Sequence, residues 1–216
     1  RYLARLKVDI RDTDRVVDEI EEFLTGARPL PDTNRVLATL LVARLVMPGQ
    51  MAARLGNQRW SEHMDRLREA AVEAFERHGG QPLSTAAAEM AARFDGPARA
   101  VRCALALRDA AGELRFELAA GIHVGEIEIR EDSVTGLVLH VAERISIRAA
   151  AGEVLVSGIV VDLVAGSGLH FADRGSEAID GLEGPLRLLA VATEQHLEPV
   201  TPTPKTPSHE TPSLET

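Results

Sequence analysis

His140 and Arg144 stand four residues apart. Leu137, Val141 and Ile145 recur at helical spacing around them, so the imidazole and the guanidinium share one helix face. Such a pair either offers its two groups to a site built across an interface, or is an interface ion-pairing patch inherited with the fold. Other reactive side chains are sparse. Cys103 is the single cysteine; alone it forms no internal disulfide and no cysteine zinc site, and within a helical run it reads as a small buried hydrophobe. His123 has Gly125 at i+2, so no second ligand shares its strand face. It reads as a strand histidine with a satisfied hydrogen bond. No Gly-x-Ser-x-Gly nucleophile elbow occurs, so hydrolase chemistry is not expected.

The bulk properties narrow the field. The chain of 216 residues is 45% hydrophobic and 26% charged, which supports a normal buried core. Aromatics make up only 3%, so that core must be built from Leu, Val, Ile and Ala. The formal net charge of -9 argues against nucleic acid and against an anionic membrane surface as partners. No apolar run reaches the ~18–20 residues needed to span a bilayer, and no signal peptide pattern is present. One free cysteine suits a reducing cytoplasm. The first residue is Arg1, so a piece of a longer protein is expected.

The elements that must position these groups follow from pattern. Residues 1–27 read as a helix, with Asp14 as N-cap, Val16, Val17, Ile20, Phe23 and Leu24 on one face and Gly26 at the C-cap. This stripe must pack on the main domain, a partner or a further domain. Residues 28–34, with Pro29 and Pro31, form a linker. Residues 35–47 are a branched apolar run and predict a buried strand ended by Pro48 and Gly49. A long helical pattern covers 50–78, interrupted at Gly56-Asn57 and closed by Gly79-Gly80; Trp60 reads as a packing anchor on it. Two short extended segments occupy 81–94, and a helix covers 97–112. Residues 116–130 alternate as a strand pair relaxed by Gly121 and Gly125. A helix over 136–150, a strand at 153–157, a short helix at 158–165 and strands at 168–173 and 186–193 complete the domain, 35–196. Residues 197–216 are rich in Pro, Thr and Ser and are expected to be disordered.

This order, together with its sequence blocks, resembles the class III adenylyl/guanylyl cyclase catalytic domain. The blocks are Ala52-Ala53-Arg54-Leu55-Gly56, Phe94-Asp95-Gly96-Pro97-Ala98-Arg99-Ala100, Gly121-Ile122-His123-Val124-Gly125-Glu126, the run from Gly136 to Ile145, Gly152-Glu153-Val154-Leu155-Val156-Ser157 and Phe171-x-Asp173-Arg174-Gly175. The resemblance implies an α+β fold, a ferredoxin-like antiparallel sheet with helices on one face, dimerising head to tail around a groove. Residues Arg1-Tyr2-Leu3-Ala4 and Asp18 to Leu24 resemble the final helix of α/β-hydrolase domains that precede such domains.

The family's reaction joins a ribose 3′ hydroxyl to the α-phosphate, using two metal ions held by aspartates. The resemblance places the first metal aspartate at Arg44 and the second at Ala88. It places the base-reading Lys at Ser84, the purine-selecting Asp at Ser133 and the phosphate-binding Lys at Asp180. The transition-state Asn falls at His140, a replacement seen among bacterial relatives, and the transition-state Arg is kept as Arg144. A cation at a dication site repels the ion it should hold, and an acid at the phosphate position repels triphosphate. Arg44 is expected to be solvated or paired with an acid such as Glu89, which lies on the other strand face from Ala88.

The resemblance therefore implies a degenerate cyclase domain. Magnesium or manganese would serve the family, but the ligands are absent, so no cofactor is expected. A dimerisation or regulatory role in cyclic-nucleotide-type signalling is expected, as a homodimer or a heterodimer with another cyclase domain. Two alternatives stay open. The chain could supply Arg144 and His140 to a metal-competent partner, or hold a nucleotide or small ligand without catalysis.

Overall fold

The computed structural model describes residues 35–83, 89–130 and 133–192. The expectations for 1–27, 28–34 and 197–216, and for Ser84 and Ala88, lie outside the described residues.

The order is β1 (Arg35–Leu45), α1 (Pro48–Leu55), α2 (Asn57–His78), β2 (Gln81–Leu83), β3 (Glu89–Phe94), α3 (Pro97–Glu113), β4 (Leu118–Arg130), β5 (Ser133–Thr135), α4 (Leu137–Arg148), β6 (Val154–Ser157), α5 (Gly158–Leu163), β7 (Phe171–Ala178) and β8 (Pro185–Val191). The sheet runs β2-β3-β1-β4-β6-β8-β7, with β5 paired to β4. Only β4 and β6 pair in parallel; the other pairs are antiparallel. The mixed α+β architecture with a mostly antiparallel sheet agrees with the expectation.

Two expectations need correction. Residues 116–130 do not form a strand pair: β4 is one continuous strand, in register with β1 from Arg35↔Glu128 to Leu45↔Leu118. Its glycines serve the helix above rather than a turn. A Cβ on Gly121 would lie 2.3 Å from both the Ala142 carbonyl oxygen and the Ser146 amide nitrogen, and one on Gly125 would lie 2.6 Å from a Val138 methyl. Helix α4 therefore rests directly on the strand backbone, an approach only glycine permits.

Nor do the helices share one face. In β1, Leu41, Ala43 and Leu45 join α2 and α3 in one core cluster, while Ala38, Leu40 and Val42 meet Val138 and Ala142 of α4. Alternate strand residues point to opposite faces, so α4 covers one side of the sheet and α2 and α3 the other. That is why β1 is an unbroken apolar run: it is buried on both sides. The aromatic-poor core closes through small residues. Ala100, Cys103, Ala104 and Ala111 bury one side of α3, while the expected anchor Trp60 meets Phe116 edge-on, with ring centroids 5.8 Å apart. Pro48 does more than end β1: it opens α1, where its fixed φ suits the first turn.

Gly121→Ala is expected to destabilise the fold by about 1–3 kcal/mol, because backbone rather than a flexible side chain must yield. Gly112→Ala, in α3 where a Cβ meets nothing within 4 Å, should be neutral or stabilising by up to about 1 kcal/mol. Urea denaturation of the two variants checks the contrast.

Candidate functional site

Arg44, Arg144 and Asp180, three of the residues singled out from sequence, each make contact with α4 or belong to it. Arg44 stands near the end of β1, half-buried, on the α4 side of the sheet. Its Nε donates to the Ser146 carbonyl at 2.9 Å and its Nη2 to the Ile147 carbonyl at 3.2 Å. Those carbonyls belong to the last turn of α4, which has no intrahelical partners for them and carries the negative end of the helix dipole. The guanidinium therefore caps α4. Glu89 is its register partner across β1 and β3, while the Arg44 hydrogen bonds go to the helix.

Two turns of the same helix carry charge outward. Arg144 Nη2 lies 3.4 Å from Asp180 Oδ2, with side-chain exposures of 47% and 91%. Arg148, one turn further on, pairs with Glu177. Arg144, Ile147, Arg148, Glu177, Ala178, Ile179 and Asp180 line a cavity of about 250 Å³. The turn between β7 and β8 is held there by apolar contact. Ile179 joins Val141 and Ile145 in a buried cluster, and Leu137 packs so closely that a Cβ on Gly181 would lie 2.8 Å from its Cδ1. His140 lies one turn before Arg144, half-buried.

The structure thus pairs Arg144 with Asp180 and ties Arg44 to the end of the same helix, on which His140 also lies. Ser133 opens β5, opposite Arg130 in register, away from that turn in the chain. Sequence reasoning missed Arg148 and Glu177. The four-residue repeat His140, Arg144, Arg148 was a readable signal for the first; Glu177 had no local signal, because its partner lies 29 positions away in the chain (177 − 148).

The other reactive groups are structural. His123 Nδ1 lies 2.8 Å from Ser157 Oγ, the satisfied strand histidine that was expected, and burial pushes its pKa down to about 4. Burial pushes the Cys103 thiol up to about 12, so it stays a thiol and is no nucleophile. Asp173 accepts from the Gly175 amide at 2.7 Å and from Arg187 Nε at 2.8 Å, and both hold its carboxyl below the ordinary value. Arg174 pairs with Glu153 at 2.6 Å. The Phe171-x-Asp173-Arg174-Gly175 block is therefore a β7 framework.

Where the resemblance puts the first metal ligand stands the Arg44 guanidinium; among the described residues no group of three or more His, Cys, Asp or Glu side chains is placed to hold a cation.

Arg44→Ala should lower stability by about 1–3 kcal/mol through loss of two charge-assisted hydrogen bonds. Arg44→Asp should cost more, because a carboxylate would face the negative end of α4; chemical denaturation ranks the two. His123 supplies a pH dependence. Its folded pKa of about 4 lies below the ordinary 6.5, so the neutral form is favoured in the fold. That contribution is complete above about pH 6.5 and shrinks as pH falls toward 4, because the unfolded chain then binds a proton the folded chain refuses. The melting temperature should fall over that window, and less steeply in His123→Asn.

No protein-family model matches the chain, and no curated protein sequence matches it. Solved structures do. Adenylyl cyclase CyaB from P. aeruginosa superposes with a TM-score of 0.69 at 17% identity, over 76% of this chain and 97% of that one. An adenylate/guanylate cyclase/hydrolase from Silicibacter pomeroyi gives 0.65 at 24% identity, over 74% and 99%. The guanylyl cyclase Cya2 gives 0.63 at 19%, over 76% and 97%. No helix among the described residues is long and apolar enough to cross a membrane. With the strand order, the α4 packing and these superpositions together, the chain has the fold of the class III nucleotidyl cyclase catalytic domain.

Proposed function

We propose that this chain is a cyclase homologue without cyclase activity, serving as a dimerisation or regulatory module in cyclic-nucleotide-type signalling. One observation carries the reading: at the family's first metal position stands Arg44, bonded to the Ser146 and Ile147 carbonyls. It is a cation built into the framework, so a dication would have to displace both its charge and its hydrogen bonds. The position of the family's phosphate-binding lysine is Asp180, and it faces the retained Arg144. The guanidinium that would neutralise a transition state therefore has an acid beside it already. Exposed Leu137 and Ile147 on α4 and exposed Met47 before α1 favour a contact surface there.

With ATP or GTP and manganese, the purified protein should form no cyclic nucleotide, and light scattering should report a dimer. Turnover by the homodimer would overturn the reading. The long, half-exposed contact of Arg144 favours one second reading, in which this chain lends Arg144 and His140 to a metal-competent partner. Mixing with such a cyclase and then introducing Arg144→Ala separates the two: loss of product supports the lent half-site, and an unchanged rate rejects it.

A further inference from the structure

The sheet end where β1 begins carries a surface that neither α2 nor α3 covers. Leu37 lies on the face of β1 that supplies Leu41, Ala43 and Leu45 to the main core, yet it is 71% exposed. Beside it, Phe94 of β3 pairs with Thr39, two positions along from Leu37. The Phe94 ring lies against Gly80, just past the end of α2, and Arg99 of α3 reaches Gly79 (a Cβ on Gly79 would lie 3.4 Å from its Nη1).

The same end is basic. Arg99 and Arg102 follow one another by a turn near the start of α3, and Arg77 and His78 close α2. Arg102 Nη2 donates to the Ser167 carbonyl at 3.2 Å, and Arg77 pairs with Glu73. Among the described residues no carboxylate comes within ion-pair distance of Arg99 or Arg102. Asp95, in the turn before α3, pairs with neither. Glu126, opposite Leu37 in register, is already matched by Arg35 at 3.9 Å. His78 reports the local potential: its pKa is lowered by partial burial and then by the charges of Arg77 and Arg102. In a chain of net charge -9, two arginines with no carboxylate partner among the described residues, at the sheet end where a leucine is exposed, are out of character.

The sequence holds its complement. Between Arg15 and Arg28 there are four carboxylates, Asp18, Glu19, Glu21 and Glu22, and no cation. At helical spacing, Glu19 and Glu21 flank the apolar stripe of Val16, Val17, Ile20, Phe23 and Leu24 on its two sides. Nothing in the site described above uses this stripe. The segment joins the domain at Arg35, the first residue of β1. The link from Leu24 to Arg35 is 11 residues (35 − 24), long enough to reach about 35 Å when extended.

We propose that residues 14–24 dock as an amphipathic helix on this end of their own domain, the apolar stripe over Leu37 and the carboxylates toward Arg99 and Arg102. The fit is apolar on apolar and acid on base at once, and the tether is short. This dock is independent of the reading of the domain as inactive.

Hydrogen–deuterium exchange on the full chain tests it. Residues 14–24 should exchange about tenfold or more slower than an unstructured chain, and Arg99→Glu with Arg102→Glu should abolish that protection while leaving α2 and α3 protected. Adding Glu19→Arg with Glu21→Arg to that variant should restore it. If the arginine variant disturbs α2 or α3, Leu37→Ser in the wild-type background and salt at roughly 1 M, where screening falls to ~3 Å, replace it; each should reduce the protection. Unprotected residues 14–24 in the wild type, or protection indifferent to all these changes, overturns the dock. Protection that rises with protein concentration also overturns it, because it assigns the segment to a second copy.

Discussion

Helix α4 lies on the bare backbone of β4, because Gly121 and Gly125 carry no Cβ to hold it away. Every charged group of interest takes its place from that contact. With the helix so close, Val141, Ala142 and Ile145 are fully buried, and the last turn of α4 ends within reach of β1. Arg44 can then donate to the Ser146 and Ile147 carbonyls. On the outer side, the same seating presents Arg144 and Arg148 to the β7–β8 turn, where Asp180 and Glu177 meet them.

These contacts differ in strength, and the difference assigns their roles. The Arg144–Asp180 pair is 47% and 91% exposed and 3.4 Å long; such a pair contributes about 0–1 kcal/mol. Its effect is to orient a guanidinium, not to hold the fold. The Arg44 bonds are shorter, the one to Ser146 is partly buried, and both go to carbonyls that have no other partner in the helix, so their loss leaves acceptors unpaired at an end with negative partial charge. Arg44 is thus the structural cation, and Arg144 the available one.

Much of the fold was legible in the sequence. Alternation and helical spacing located most elements to within a few residues, but β5 was not expected and β7 runs five residues past the strand expected at 168–173 (178 − 173). The strand pair expected over 116–130 failed for an instructive reason. Gly121 and Gly125 look like bend residues along the chain, but the demand on them comes from α4, which begins 12 residues after Gly125 (137 − 125). The facing of the helices was misread for a similar reason. A run buried on both sides, as in β1, carries no alternation to say which side each helix takes. At the site, the resemblance grouped Arg144 with Asp180, and the structure pairs the two. What Arg44 does was not legible, since a carbonyl acceptor has no sequence signature: Ser146 and Ile147 accept through their backbones.

The negative end of α4 constrains which residue the end of β1 can hold. An aspartate near the end of β1 would face the negative end of α4 across a half-buried gap, an arrangement that is stable only with a cation between them. Arg44 supplies the cation from the chain itself and satisfies the helix end in the same step. The junction between β1 and α4 is then held by groups of the chain itself. The same logic covers the outer side, where Asp180 gives Arg144 an internal counter-charge. In both places the charge is balanced within the chain, by side chain and backbone. Neither the end of β1 nor the β7–β8 turn then needs a bound ion to offset these charges.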